Sequence, residues 1–237
     1  MKQKRTGTFY IVGIGPGDPE LITVKACRVL EHCPVIAAPE TAGHSAGGNQ
    51  LALSIARKAV DLSEKEILLL QFPMVRQERQ RTENIIAQAG RIESFLAKGL
   101  DVAMVNLGDV SIYATAFYVM ERICQNGYET IMIPGVPSFC AVAAQLGISL
   151  TEMNQPLHLI PASGMDLDQA LELPGTRVLM KSGSRMQHTV EKLREHGLLD
   201  QASMVADCGL SSQMVCTDLS ELPETVSYFA TVVVKDL

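Results

Sequence analysis

Apolar strand-like segments alternate with helix-like segments over the first 134 residues of the chain. The helix-like segments repeat apolar residues every three or four positions, as Leu51, Ile55 and Ala59 do. Several strand-like segments are almost continuously apolar, as expected of strands buried on both faces. This alternation predicts an α/β domain whose mainly parallel sheet is covered by helices on both faces. The predicted strands are Thr8–Ile14, Pro34–Ala38, Glu66–Phe72, Asp101–Leu107 and Glu129–Pro134.

Beyond Pro134 one helix comes first, and the predicted strands then follow one another more closely. They are Leu157–Ala162, Arg177–Lys181, Ser203–Cys208, Met214–Asp218 and Ser227–Lys235. This pattern predicts a second α/β domain with a mixed sheet, part of it paired as hairpins. The segment 134–138 holds two prolines and a glycine, which makes it the expected junction. We therefore expect two domains, 1–134 and 138–237, with a ligand site in the cleft between them.

Charge and hydropathy exclude several classes of partner. The 237 residues are 47% hydrophobic and carry a formal net charge of −6 without a long basic run, which argues against a nucleic-acid partner. No segment approaches the roughly 18 consecutive apolar residues that span a bilayer, so no membrane partner is expected. The N-terminal sequence also lacks the apolar core of a signal peptide. We expect a cytoplasmic protein.

The cysteines and histidines show no spacing typical of a metal site. None of the six cysteines forms a Cys-x-x-Cys pair, and most lie in apolar stretches, so we expect reduced core residues. The five histidines show no pairing at intervals of four and no neighbouring cysteine ligands at zinc spacing, so no protein-bound metal is expected.

A glycine-rich loop follows the first predicted strand and holds Gly13, Gly15 and Gly17. A strand, a glycine-rich loop and a helix in this order form the usual ligand site of α/β proteins. A dinucleotide fingerprint that starts at Gly13 would need a third glycine at the position of Asp18, which disfavours a nicotinamide oxidoreductase. Pro16 and Pro19 also lack the N–H groups that a phosphate would accept from. The loop therefore predicts a backbone shaped against a ligand other than a phosphate.

Two further glycine-containing loops follow predicted strands, at 107–113 and 134–138. Gly108 allows a ligand to approach the backbone, and Asp109 offers a carboxylate to hydroxyl or amine groups, or else caps the following helix. Asp18 allows the same two interpretations, because Pro19 suits the first position of a helix. Three such loops at strand ends indicate a ligand site at the carboxyl edge of the sheet.

Basic side chains near other strand ends are candidates for binding carboxylates. Three of them, Arg76, Arg79 and Arg81, follow Phe72-Pro73-Met74. Lys181 and Arg185 follow a predicted strand of the second domain. Such residues either lie solvated on the surface or bind anionic groups of a ligand.

Taken together, the loops resemble the tetrapyrrole methylase family, which transfers methyl groups from S-adenosylmethionine. The first loop and its continuation through Thr23 and Ala26 resemble the N-terminal signature of the family. Gly108-Asp109-Val110-x-x-Tyr113 resembles its Gly-Asp-Pro-x-x-Tyr loop, with valine in place of proline, and 133–144 resembles its domain junction. Leu51–Ala56, Phe72–Met74 and Ser227–Val234 are similar to the members that methylate C20 in corrin biosynthesis.

The resemblance implies a tetrapyrrole methylase fold and an activity. The expected reaction is methyl transfer from S-adenosylmethionine to the C20 meso carbon of precorrin-2 or of its cobalt complex, in cobalamin biosynthesis. A homodimer is implied as well. The alternatives are a methylase that acts on another tetrapyrrole carbon and a non-catalytic sensor that binds an adenosine ligand.

The resemblance also implies roles for individual residues. Contacts with S-adenosylmethionine are expected from Gly108, Asp109, Val110, Ile112, Ser138, Phe139, Met180 and Leu210. The wall of the tetrapyrrole site is expected from Gly13, Gly15, Pro16 and Gly17. By charge and loop position, the partners of the substrate's carboxylates are Arg76, Lys181 and Arg185. Candidates for the group that accepts a proton are Asp18, Asp109 and Tyr228.

Overall fold

Five parallel strands form the sheet of the N-terminal part of the chain. The computed structural model of the protein describes residues 5–40, 50–73, 77–162, 164–223 and 225–236. The strands are Phe9–Gly13 (β1), Val35–Glu40 (β2), Glu66–Gln71 (β3), Val102–Asn106 (β4) and Thr130–Ile133 (β5). They lie in the order β3-β2-β4-β1-β5, and every neighbouring pair is parallel. The parallel sheet that the sequence predicted is confirmed.

Helices cover both faces of this sheet. Alternate residues of the strands point to opposite faces, and the helices bury both sets. The helices are Val24–His32 (α1), Leu51–Ala59 (α2), Glu78–Leu96 (α3) and Thr115–Gln125 (α4). Phe9 and Met104 belong to one core cluster together with apolar residues of α3 and α4. Val12 and Ile36, on the other face, are also fully buried. There α1 contacts β1, and α2 contacts β2 and β4.

The second sheet is mixed, as the sequence predicted. Its strands are Leu157–Pro161 (β6), Thr176–Met180 (β7), Ala202–Ala206 (β8), Met214–Cys216 (β9) and Ala230–Val234 (β10). The order is β6-β7-β10-β8-β9, in which only the pair β6-β7 is parallel and β8-β9 is a hairpin. The helices of this part are Ser138–Leu146 (α5), Leu167–Leu171 (α6) and Met186–Glu195 (α7). The last strand begins at Ala230 rather than at Ser227, because 227–229 form a turn.

The chain divides into two compact units, one that ends at Pro137 and one that begins at Ser138. The division falls inside the segment with two prolines and a glycine, directly before α5. No helix among the described residues is both long enough and apolar enough to cross a bilayer.

The cysteines correct one expectation. All six lie in described parts of the chain and none forms a disulfide, but only Cys33 and Cys208 are buried, whereas Cys124 and Cys140 are exposed. The two exposed thiols have apolar neighbours in sequence, yet each helical residue is rotated by about 100° from the last and faces another side. Burial, with a smaller contribution from the charge of Asp101, raises the pKa of the Cys33 thiol to about 12.

Three glycines allow the ends of β4, β1 and β5 to approach one another closely. A β-carbon at Gly13 would lie 2.6 Å from the backbone nitrogen of Gly135 and 2.8 Å from the carbonyl oxygen of Gly108. A β-carbon at Gly135 would lie 2.4 Å from the same carbonyl oxygen. Real β-carbons do not approach other heavy atoms so closely, so any side chain at Gly13 or Gly135 would push the strand ends apart. We call this contact of Gly13, Gly108 and Gly135 the glycine contact.

Gly135→Ala should therefore destabilise the protein. We expect the free energy of unfolding to fall by about 2 kcal/mol or more, because a methyl group in a close-packed contact forces the backbone to move. The measurement is urea unfolding followed by circular dichroism. The matched control is Gly90→Ala in α3, where a β-carbon meets no atom within 4 Å. There the better helix propensity of alanine should raise stability by about 0.5–1 kcal/mol. Equal stabilities of the Gly135→Ala variant and the wild type would contradict this account of the glycine contact.

Candidate active site

The loops after β1, β4 and β5 meet at one edge of the parallel sheet. The three strands are neighbours, and the carboxyl ends of parallel strands share an edge. Gly15 and Gly108 pair across this edge: the Gly108 N–H donates to the Gly15 carbonyl at 2.7 Å, and the reverse bond is 3.3 Å long. Both glycines have left-handed backbones, with φ of 78° and 72°. We call the loops at these strand ends, 13–18, 107–113 and 134–137, the glycine edge.

The first loop packs its backbone into the glycine edge. Its expected substrate-binding residues are all buried: Gly13, Gly15, Pro16 and Gly17. Asp18 is half-buried, and its Oδ1 accepts a hydrogen bond from the Glu20 N–H at 2.9 Å. It thereby caps the short 3-10 helix Pro19–Leu21, in which Pro19 takes the first position. The prediction that Asp18 caps a helix is confirmed, and its role as a proton acceptor stays a prediction.

Asp109 ties the loop after β4 to the loop after β5. Its side chain is buried, and Oδ1 accepts hydrogen bonds from the N–H of Ser111, at 2.8 Å, and from the Ser111 hydroxyl. Oδ2 accepts from the Gly135 N–H at 2.8 Å. The alternative that Asp109 caps the following helix is wrong, because α4 begins only at Thr115 and its cap is Ala114. The carboxylate instead fixes Gly135 in the glycine contact.

The environment of Asp109 favours its charged form. Burial opposes ionisation, but hydrogen bonds from the Ser111 hydroxyl and from the N–H groups of Gly135, Ser111 and Val110 outweigh it and lower the pKa of Asp109. A carboxylate with a lowered pKa is a poor proton acceptor at neutral pH. The electrostatics thus favour a structural anion at this position.

Open space remains beside Gly108. A β-carbon there would meet no heavy atom within 4 Å, so the backbone can be approached from this side. Val110 points its side chain into the core cluster of α3 and α4. Ile112 is half-buried, whereas Tyr113 is exposed and has a left-handed backbone with φ of 49°. Gly108 is itself buried and Ile112 is half-buried, so a contact of this loop with the cofactor stays a prediction.

The second unit brings five expected site residues to one edge of its sheet. Strands β7 and β8 both run antiparallel to β10, which lies between them. Register places Met180 opposite Thr231, and Ala206 opposite Ala230, so β7 and β8 end where β10 begins. We call the loops 181–185, 207–213 and 225–229 the second-unit edge. At or next to it lie Met180, Lys181, Arg185, Leu210 and Tyr228.

The individual side chains of this edge differ in exposure. Lys181 is half-buried and has φ of 59°, and desolvation lowers its pKa. Arg185 is exposed at the end of a 3-10 turn. Partial burial raises the pKa of Tyr228, whose ring lies edge-on to Phe229 with centroids 5.4 Å apart. Tyr228 therefore stays protonated at neutral pH and is better suited to donate a hydrogen bond than to accept a proton.

The other predicted site residues lie elsewhere. Ser138 and Phe139 begin α5, and the phenyl ring is buried. Arg76 lies outside the described residues, so its expected contact with substrate stays a prediction. Arg79 pairs with Glu83 at 2.9 Å on an exposed face, which supports the solvated alternative for it. Across the described ranges, no three His, Cys, Asp or Glu side chains are grouped so as to hold a metal ion.

Sequence reasoning missed Asp207, the residue after β8. It is buried, and two serine hydroxyls donate to its carboxylate, from Ser212 and Ser227. A partial signal was present: Asp207 lies near the end of the predicted strand Ser203–Cys208, and a glycine, Gly209, follows that strand as Gly108 follows another.

The lowered pKa of Asp109 leads to a pH-dependent prediction. Because the folded-state pKa lies below the ordinary value of about 3.9, ionised Asp109 stabilises the fold fully above that value. This contribution is lost as pH falls through the folded-state pKa. Asp109→Asn should lower the free energy of unfolding by about 1–3 kcal/mol at pH 7. The asparagine side chain has only one acceptor oxygen, so it cannot accept hydrogen bonds from both Ser111 and Gly135 as the carboxylate does. The difference from wild type should shrink below about pH 4.

Urea unfolding at pH 7 and at lower pH measures this difference. Glu83→Gln, at the exposed Arg79 pair, is the control and should change stability little at either pH. A difference for Asp109→Asn that is absent at pH 7, or that does not depend on pH, would contradict the role assigned to the carboxylate.

Comparison with known proteins identifies the family of the chain. The family model described as Tetrapyrrole (Corrin/Porphyrin) Methylases matches residues 8–223. A cobalt-precorrin-2 C(20)-methyltransferase of Salmonella typhimurium is 33% identical over 236 residues, which cover 97% of this chain and 96% of the relative. A precorrin-2 C(20)-methyltransferase of a Sinorhizobium species is 29% identical, over 96% of this chain and 95% of the relative.

Solved structures share the fold. A cobalt precorrin-4 methyltransferase superposes with a TM-score of 0.73 at 20% identity, over 96% of this chain and 94% of that chain. A uroporphyrin-III C-methyltransferase of Thermus thermophilus, complexed with S-adenosyl homocysteine, gives a TM-score of 0.65 at 19% identity, over 97% and 92% of the two chains. With the family model matching nearly the whole chain, the protein belongs to the tetrapyrrole (corrin/porphyrin) methylase family.

Proposed function

We propose that the protein transfers a methyl group from S-adenosylmethionine to the C20 meso carbon of precorrin-2 or of cobalt-precorrin-2, in cobalamin biosynthesis. The observation that carries this proposal is the similarity, over almost the full length of both chains, to relatives named for C20 methylation of these two substrates. The blocks at 51–56 and 227–234, which resemble C20 enzymes in sequence, support the same position.

The chemistry of this reaction suits a site built mainly from backbone. S-adenosylmethionine supplies a methyl group on a positively charged sulfur, which is already electrophilic. The protein must hold an electron-rich carbon in line with that methyl group, and good alignment contributes about 7–11 kcal/mol in model reactions. The glycine contact and the Asp109 hydrogen bonds restrain the backbone of the glycine edge, which supports such alignment. Gly108 leaves room for the donor beside its backbone.

We assign different tasks to the two units. In this proposal the first unit, Met1–Pro137, supplies the tetrapyrrole wall at 13–17 and part of the donor site at 108–112. The second unit, 138–237, completes the donor site through Met180 and Leu210, and Lys181 and Arg185 bind substrate carboxylates. The proposal includes a homodimer and a cytoplasmic location, as the resemblance implies, and light scattering of the purified protein tests the former.

The new carbon–carbon bond at C20 requires that a proton leave the substrate. Of the three candidates, Asp109 is held as an anion by four donors and Tyr228 stays protonated, which favours Asp18. We propose that Asp18 accepts this proton. Its cap to Glu20 uses Oδ1 and keeps the carboxylate in one orientation.

Two arms of one experiment test the reaction. The protein is incubated with S-adenosylmethionine that carries a ¹³C-methyl group, together with precorrin-2 in one arm and cobalt-precorrin-2 in the other. We expect ¹³C NMR of the product to place the label at C20 in at least one arm, and the faster arm identifies the substrate. Label at another carbon would favour the alternative methylase, and binding of donor without any transfer would favour the sensor.

Asp18→Asn tests the proton acceptor. Asparagine can keep the cap to Glu20, so we expect the folded stability to change little while kcat falls by about 100-fold or more. The matched control is Asp61→Asn, because Asp61 makes the same kind of bond, to the Ser63 N–H at 2.9 Å, far from the glycine edge in sequence. That variant should keep kcat within about twofold of wild type. A fully active Asp18→Asn enzyme would exclude Asp18 as the acceptor.

A further inference from the structure

We propose that Asp207 is a positioning residue for S-adenosylmethionine, a role that rests on the proposed function. It holds the loops that carry Leu210 and Tyr228 in the arrangement needed to bind the donor. Asp207 lies directly after β8, and only 4% of its surface is exposed. It does not need to touch the donor itself.

The carboxylate joins two loops that are distant in sequence. Oδ2 accepts a hydrogen bond from the Ser212 hydroxyl at 2.9 Å, inside the loop after β8. Oδ1 accepts from the Ser227 hydroxyl at 2.5 Å, in the turn before β10. Bonds to a charged acceptor are stronger than bonds between neutral groups, and burial strengthens them further. One side chain thus links the two loops directly.

The main chain of Asp207 reinforces the same connection. Its N–H donates to the Phe229 carbonyl at 3.2 Å, and its own carbonyl accepts from the Leu210 N–H at 2.9 Å. The loop is also closed internally, since the Gly209 N–H donates to Oε1 of Gln213 at 2.7 Å. The backbone of Leu210 is therefore bonded directly to that of Asp207.

A third loop depends on the position of this turn. A β-carbon at Gly183 would lie 1.9 Å from the carbonyl oxygen of Ser227, so the chain after β7 is in direct backbone contact with the turn. The Ser182 N–H donates to the Ala230 carbonyl at 3.3 Å in the same region. Displacement of Ser227 would therefore also displace the loop that holds Lys181 and Arg185.

The backbone of Asp207 supports a role beyond filling a turn. Its φ is 50°, a left-handed conformation that glycine adopts more readily than any other residue. Aspartate and asparagine tolerate this conformation better than most side chains. Glycine would suit the turn equally well, so the backbone alone does not explain an aspartate here. What the aspartate adds is a carboxylate that accepts hydrogen bonds from two serines.

Substitutions of Asp207 separate the side chain from the backbone. Asp207→Gly keeps the left-handed turn and removes both side-chain hydrogen bonds. Asp207→Asn can restore both, because each serine hydroxyl can donate or accept. Asp218→Ala is the matched control: Asp218 accepts from the N–H and hydroxyl of Ser220, and it follows β9, which ends at the opposite edge of the same sheet.

Calorimetric titration with S-adenosylhomocysteine measures donor-site affinity without turnover. We expect Asp207→Gly to weaken binding by about tenfold or more, since small displacements of a supporting loop have large effects on a site. The affinity of Asp207→Asn should lie within about threefold of that of the wild type, and the affinity of Asp218→Ala should equal that of the wild type. In kinetics, Asp207→Gly should raise KM for S-adenosylmethionine more than it lowers kcat.

Each outcome bears on a different statement. Failure of the wild-type protein to bind S-adenosylhomocysteine would overturn the proposed function. Wild-type affinity in a folded Asp207→Gly variant, with the wild type itself binding, would overturn the positioning role alone. If Asp207→Gly does not fold, Ser227→Ala removes one of the two bonds in the native backbone, and unchanged affinity in that variant would overturn the role.

Discussion

The close approach of three backbones at the glycine contact is the constraint on which the first unit depends. Strands β4, β1 and β5 can end side by side only because no side chain stands between Gly13, Gly108 and Gly135. Asp109 then holds this arrangement by accepting from Gly135 across the gap. The wall expected to face the tetrapyrrole and the loop expected to bind the methyl donor are therefore parts of one rigid backbone unit.

The two units reach a similar result by different routes. In the first, parallel strands with helical crossovers bring three loops to one edge, as all parallel sheets do. In the second, β10 runs antiparallel between β7 and β8 and so places the start of one strand beside the ends of two others. Backbone proximity, rather than a cluster of reactive side chains, is common to both edges. That suits a reaction in which alignment contributes most of the catalysis.

Much of the fold could be predicted from the sequence, because strand and helix periodicity are local properties. All ten predicted strands exist, and the carboxyl-edge loops were identified from glycine placement alone. Tertiary partners could not be predicted in this way. Asp109 was expected to cap a helix or bind a ligand, but its partner Gly135 lies 26 residues away. The structural role of Asp207 could not be predicted from its local sequence either, because its partner Ser227 lies 20 residues away.

Three residues other than glycine have left-handed backbones in the described part of the chain: Tyr113, Lys181 and Asp207. Each follows a strand at one of the two edges, and such a conformation costs of the order of 1–3 kcal/mol per residue. The strain is therefore concentrated where ligands are expected. Glycine at these positions would relieve the strain, but it would also remove the side chains that the two edges present to a ligand.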